Sequence, residues 1–168
     1  MGAESQTVTS REPGLSLDSQ LCFPLYAASN LVTRAYAPLL RPLNLTYPQY
    51  LVMLVLWEHG EMTVGDLGER LHLDSGTLTP LLKRMATSGH IVRRRDPDDE
   101  RRVIISLSDQ GRALEEKARG IPQAMACRLA SDNVSLSRLR DDLKSLISVL
   151  DGNRAQHLSK TTQPRRDL

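Results

Sequence analysis

Apolar residues recur at helical spacing from Leu21 to Leu40, at Leu21, Leu25, Ala28, Leu31, Val32, Ala35 and Leu39, which predicts a long amphipathic helix. Pro24 has no N–H and is comfortable only in a first turn, so the regular helix is expected to begin near Leu21 to Phe23, with Cys22 at its positive end. Pro38 is expected to kink the far end and Pro42 to close it. The segment Pro48 to Trp57 is apolar all round and predicts a short buried helix that starts at Pro48 and is ended by His59 and Gly60.

The clearest pattern follows. Thr63 is placed to cap a helix with Val64, Leu67 and Leu71 on one face; after a turn through Leu73, Asp74 or Ser75 caps a second with Leu78, Leu81, Leu82 and Met85 inward. Beyond Gly89, the runs Ile91 to Arg95 and Arg102 to Leu107 are rich in β-branched residues and flank Pro97, Asp98 and Asp99, which predicts a hairpin with a charged tip. Helix, turn, helix, hairpin is the winged helix-turn-helix order. Ser108 then caps a long helix in which Gly111 and Gly120-Ile121-Pro122 invite bends and whose distal part carries Cys127. A last helix shows Leu136, Leu139, Leu143, Leu146, Ile147 and Leu150, a stripe that either covers a second subunit or folds back on its own core. The expected fold class is mainly α with a small β-wing: a winged helix-turn-helix over 61–107 with flanking N- and C-terminal dimerisation helices over 15–60 and 108–152. These form one domain, with disordered tails over 1–14 and 153–168.

Composition narrows the function. A chain of 168 residues, 40% apolar and 25% charged, has room for one core. Its longest apolar run, Tyr50 to Trp57, falls well short of the roughly 20 residues that cross a bilayer, so no membrane partner is expected. The polar start, with Glu4, Arg11 and Glu12, lacks the apolar core of a secretion signal, so a cytoplasmic location is expected. Cys22 and Cys127 have no histidine companions at ligand spacing, so neither a disulfide scaffold nor a metal site is expected, and no cofactor. Two free thiols are either inert core filler or redox chemistry.

Charge changes the picture more. Between Lys83 and Arg102 there are seven Lys/Arg against four acids, so that segment carries +3 of a chain total of +2 and leaves the remainder at −1. Such a patch is either a solvated face or the footprint of a nucleic-acid contact. In a helix-turn-helix the second helix enters the major groove, and here Ser75, Gly76, Thr79 and Lys83 fall opposite the leucines, Thr77 lies at the shoulder and Arg84 reaches toward the backbone. The hairpin places Arg101 or Arg102 beside Asp99 at its tip, where a guanidinium steadied by a carboxylate is suited to a narrow minor groove or, more plainly, to cross-strand charge pairing.

These residues carry a resemblance. The stretch Asp99-Glu-Arg101-Arg-Val-Ile-Ile-Ser-Leu107-Ser-Asp-Gln-Gly111 resembles the wing of MarR-family repressors, and the similarity runs from about Asp18 to Leu150. More narrowly, Leu21-Cys22-Phe23, the Leu45-Thr-Tyr47-Pro48-Gln-Tyr50-Leu51 block and Leu73-Asp-Ser-Gly-Thr-Leu-Thr-Pro-Leu-Leu-Lys-Arg84 resemble the organic hydroperoxide-responsive, OhrR-type branch of that family. Cys127 resembles the second cysteine of its two-cysteine class. The resemblance implies a single MarR-type domain whose reduced homodimer represses transcription at a palindromic operator in double-stranded DNA. It implies that an organic hydroperoxide oxidises Cys22, that Tyr36 and Tyr47 hydrogen-bond its thiolate with Tyr26 as a third pocket tyrosine, and that Cys127 of the other subunit resolves the oxidised sulfur as a disulfide. Pro24 departs from the family pattern. A thiol reacts as thiolate, a form favoured by a helix N-terminus, and oxidation gives a sulfenic acid that a second thiol can condense with. Two other readings stay open: a MarR-type repressor released by a small aromatic ligand with the cysteines incidental, and a thiol peroxidase turning over at Cys22, although a non-enzymatic role is expected.

Overall fold

The structure is a computed structural model that describes residues 13–130 and 134–161. Of the tails expected over 1–14 and 153–168, residues 1–12 and 162–168 lie outside the described residues. Helix α1 spans Cys22–Leu40 and follows two 3₁₀ turns, Pro13–Leu15 and Leu17–Ser19. Pro24 falls in its first turn and Pro38 in its last, and a third 3₁₀ turn, Arg41–Leu43, carries the chain past Pro42 to Asn44 in the left-handed conformation. Helix α2, Tyr47–His59, begins with a capping box in which the Thr46 N–H donates to Gln49 Oε1 at 2.8 Å, and it buries Tyr50, Val52, Met53 and Leu56.

The two-residue strand β1, Met62–Thr63, leads into α3, Val64–Leu71, whose Thr63 cap accepts the Asp66 N–H at 3.1 Å. After a turn at His72, helix α4 spans Ser75–Thr87. Gly68 makes that turn tight: an added Cβ would stand 2.9 Å from the Leu73 carbonyl oxygen. Strands β2, Ile91–Arg95, and β3, Val103–Leu107, pair antiparallel, and β1 adds to the other edge of β3 through Met62 and Ile105. The core beneath the sheet gathers Leu40, Leu56, Leu67, Leu78, Leu82, Met85 and Ile105 into one buried cluster.

Beyond the wing the structure corrects the sequence reading. The single long helix expected after Ser108 is two, α5 at Asp109–Ala118 and α6 at Ile121–Leu129, so Cys127 lies on a separate element. Gly120 interrupts the ladder and Pro122, lacking an N–H, is seated in the first turn of α6. Gly111, expected to invite a bend, is instead a packing position: an added Cβ would stand 2.0 Å from the His90 carbonyl oxygen. The last helix, α7, runs Leu136–Thr161, past residue 152 where the sequence reading ends regular structure. Two compact units divide the chain, Met1–Ile121 with the winged helix and Pro122–Leu168 with most of α6 and α7. In the second unit Leu139, Ile147 and Leu150 of the expected apolar stripe are exposed.

Candidate DNA interface and thiol site

Helix α4 is fixed at its start by Asp74, which accepts the Thr77 N–H at 2.9 Å and the Thr77 hydroxyl at 2.8 Å. Those donors, the hydroxyl first, hold the Asp74 carboxyl below the usual carboxylate range. The cap therefore occupies the Thr77 hydroxyl. Ser75, Gly76, Lys83 and Arg84 are exposed and Thr79 is half-buried, while Leu78, Leu81, Leu82 and Met85 face the core. One face of α4 thus offers short polar groups at a positive helix terminus and cations further along.

The wing tip is a closed turn in which the Arg102 N–H donates to the Asp99 carbonyl at 2.8 Å and the Asp96 N–H to the Arg102 carbonyl at 3.0 Å. Asp99 then receives Arg101 three times, from its backbone N–H and Nε at Oδ1, each at 3.1 Å, and from Nη2 at Oδ2, at 3.3 Å. The guanidinium holds the Asp99 carboxyl below the usual range. The Arg101 side chain stays 91% exposed although its Nε–Nη2 edge is held on the carboxylate, so Arg101 rather than Arg102 is the partner of Asp99. A concave surface of about 490 Å³ lies between α3, α4 and the wing, lined by Asp66, Glu69, Ser75, Thr79, Arg101 and Arg102, and also by Arg93, which the sequence reading counted in the basic segment but did not place at the interface. Strand alternation was the available signal, since it puts Arg93 on the face of Ile91.

Cys22 is a free, exposed thiol and the first residue of α1, beside Leu21 at 70% exposure and one turn from Tyr26 at 68%. Tyr36 and Tyr47 meet with ring centroids 4.6 Å apart, Tyr36 and Tyr50 at 5.8 Å, and Tyr50 meets Trp57 edge-on at 6.3 Å. Burial raises the hydroxyl pKa of Tyr36 and Tyr47, which keeps both protonated as donors. Cys22 and Tyr36 are fourteen residues apart on one helix, about 21 Å along its axis. One chain therefore brings Tyr36 and Tyr47 together at one end of α1 and leaves Cys22 and Tyr26 at the other. Cys127 is also a free, exposed thiol, and Gln123 Nε2 donates to its sulfur at 3.7 Å.

A three-helix core with a recognition-type helix and a charged wing defines the class of winged-helix DNA-binding proteins. Residues 34–118 match the family model of the transcriptional regulator SarA/Rot. The chain is 49% identical over 136 residues to the organic hydroperoxide resistance transcriptional regulator of Bacillus subtilis, covering 81% of this chain and 92% of that one. It also matches the structure of reduced AbfR bound to DNA, at a TM-score of 0.69 and 35% identity over 81% of this chain and 93% of that one. The disulfide-formed AbfR matches at 0.55 and 36%, over 80% and 91%; AbfR is from Staphylococcus epidermidis. This chain belongs to the MarR/SarA family of winged-helix transcriptional regulators.

Proposed function

We propose that the chain is a thiol-based repressor whose reduced homodimer binds double-stranded operator DNA and is released when an organic hydroperoxide oxidises Cys22. The observation that carries this is the placement of a free, exposed thiol at the N-terminus of α1, with a protonated tyrosine pair about 21 Å away at the other end of that helix. Two copies of α1 packed antiparallel put each Cys22 beside the partner's Tyr36 and Tyr47, and the exposed Leu21, Phe23 and Leu31 supply apolar area for that packing. Residues 15–60 and 108–152 then form the dimerising and sensing helices, and 61–107 the DNA-reading part, of one domain. At the interface Ser75, Gly76, Thr79 and Lys83 face the major groove with Thr77 at the shoulder, Arg84 reaches the backbone, and Arg101, held by Asp99 and flanked by Arg102, enters the minor groove.

In the chemical step the Cys22 thiolate attacks one peroxide oxygen and the O–O bond breaks. The hydroxyl group of the peroxide passes to sulfur as sulfenic acid, and the departing alkoxide takes a proton from water and leaves as the alcohol. The Cys127 thiol of the partner subunit then attacks that sulfur, a disulfide forms and water departs. A relative solved in reduced, DNA-bound form and in disulfide form supports this sequence of states. Bridging requires Cα atoms within about 7 Å, so if the reduced thiols lie farther apart the disulfide must shift the helices that set the spacing of two α4 helices, which have to match grooves roughly 34–36 Å apart. The test is DNA release after one equivalent of cumene hydroperoxide: the Cys22→Ser protein is expected to bind as wild type and stay bound, and release with wild-type sensitivity would overturn the assignment.

A second reading has its own observation. A cleft of about 770 Å³ between α1, α2 and α4 is lined by Tyr47, Arg41, Lys83 and Arg84 and fits a small aromatic acid. Release of DNA by such an acid under strictly reducing conditions would favour it.

A further inference from the structure

With α4 in a major groove and the wing tip in the neighbouring minor groove, the sugar-phosphate strand dividing the two grooves has to cross the concavity between them. Arg93, half-buried on β2, lines that concavity together with Ser75 and Thr79 of α4, Arg101 and Arg102 of the wing, and Asp66 and Glu69 of α3. Its Nε is sealed from solvent and has no hydrogen-bond partner, and among the described residues its guanidinium forms no ion pair. The contrast with its strand neighbour is direct: Arg94 is engaged by Glu61 at 2.9 Å. Of the acids that share the concavity, Asp66 accepts the Thr63 hydroxyl at 2.7 Å, and Glu69 lies one turn further along α3. A guanidinium N–H sealed from water without an acceptor is unfavourable until one arrives, and a phosphate oxygen supplies it.

We propose that Arg93 is a further DNA-contacting residue, a clamp on the phosphate strand that passes between recognition helix and wing. This rests on the DNA-binding reading above. A contact of this kind neutralises a phosphate and carries no sequence information, so it acts equally on every duplex and shows itself in the salt dependence of binding.

The experiment is fluorescence anisotropy of the reduced full-length protein on a random-sequence duplex of about 30 bp across a salt series, with melting temperatures recorded for each variant. Arg93→Ala and Arg93→Gln are expected to lower the slope of log K against log salt by about 0.9 and to weaken binding about tenfold at fixed salt. Arg93→Lys, which keeps the charge, is expected to retain the wild-type slope. Wild-type slope and affinity within twofold in both neutral variants would overturn the proposal, as would a Lys variant that loses the slope as they do. Wild-type binding with no salt dependence at all would instead overturn the DNA-binding reading on which it rests.

Discussion

Asp99 and Arg101 show how much one pair of side chains decides. The carboxylate fixes a guanidinium that is otherwise almost wholly in water, so the entropy of orienting it is lost before DNA arrives. Replacing Arg101 with Ala is expected to weaken DNA binding roughly tenfold to a hundredfold, while Asp99→Asn, which leaves the cation but not its anchor, weakens it less; titration of labelled duplex checks both. His90 is a residue of another kind, 1% exposed, with no partner at Nδ1 and a pKa pushed below its ordinary value by burial. The unfolded chain therefore takes up the His90 proton at a higher pH than the folded one. This contribution to stability is complete above about pH 6.5 and is lost as pH falls from there through the folded value. His90→Leu is expected to flatten the fall in melting temperature between pH 7 and 5, and an unchanged pH profile would remove His90 from the account. Neither the burial of His90 nor the unpartnered Nε of Arg93 could be read from the chain, because each is set by tertiary pairing and packing.

At the scale of elements, the sequence showed the caps best. Thr63, Asp74 and Ser108 each accept a backbone N–H from the third residue on, the local chemistry for which Ser, Thr and Asp are suited. It showed breaks and short strands worst. The interruption at Gly120 was readable as a bend but not as an end, and β1 exists as a strand only because Met62 and Thr63 pair with β3, far along the chain. The junction of wing and α5 depends on such nonlocal contacts: Ser108 donates to the Gly89 carbonyl, Trp57 Nε1 to the Gly111 carbonyl at 3.1 Å, and Gly111 packs on His90. Gly111→Ala is expected to destabilise by about 1–3 kcal/mol, because the obstacle is backbone and has little room to yield. Ser108→Ala should cost about 1–2 kcal/mol through the lost cap and the orphaned Gly89 carbonyl. Urea denaturation measures both.

For the whole molecule, the decisive fact is that the groups proposed to carry thiol chemistry occupy opposite ends of one helix. Their residue types were legible, Cys22 by its helix-start position and Tyr36 and Tyr47 through a family resemblance, yet periodicity says nothing about which copy of the chain completes a pocket. The length of α1 supplies that step, since about 21 Å of helix separates a thiol from the donors proposed to serve it. Cys127, on its own element after the break at Gly120, is likewise proposed to act across subunits. The most direct measurement is peptide mapping by mass spectrometry of the protein treated with one equivalent of organic hydroperoxide, run beside non-reducing electrophoresis. The account predicts a covalent dimer whose linked peptides hold Cys22 of one subunit and Cys127 of the other. Protein that releases DNA on peroxide treatment while both thiols stay reduced would contradict it.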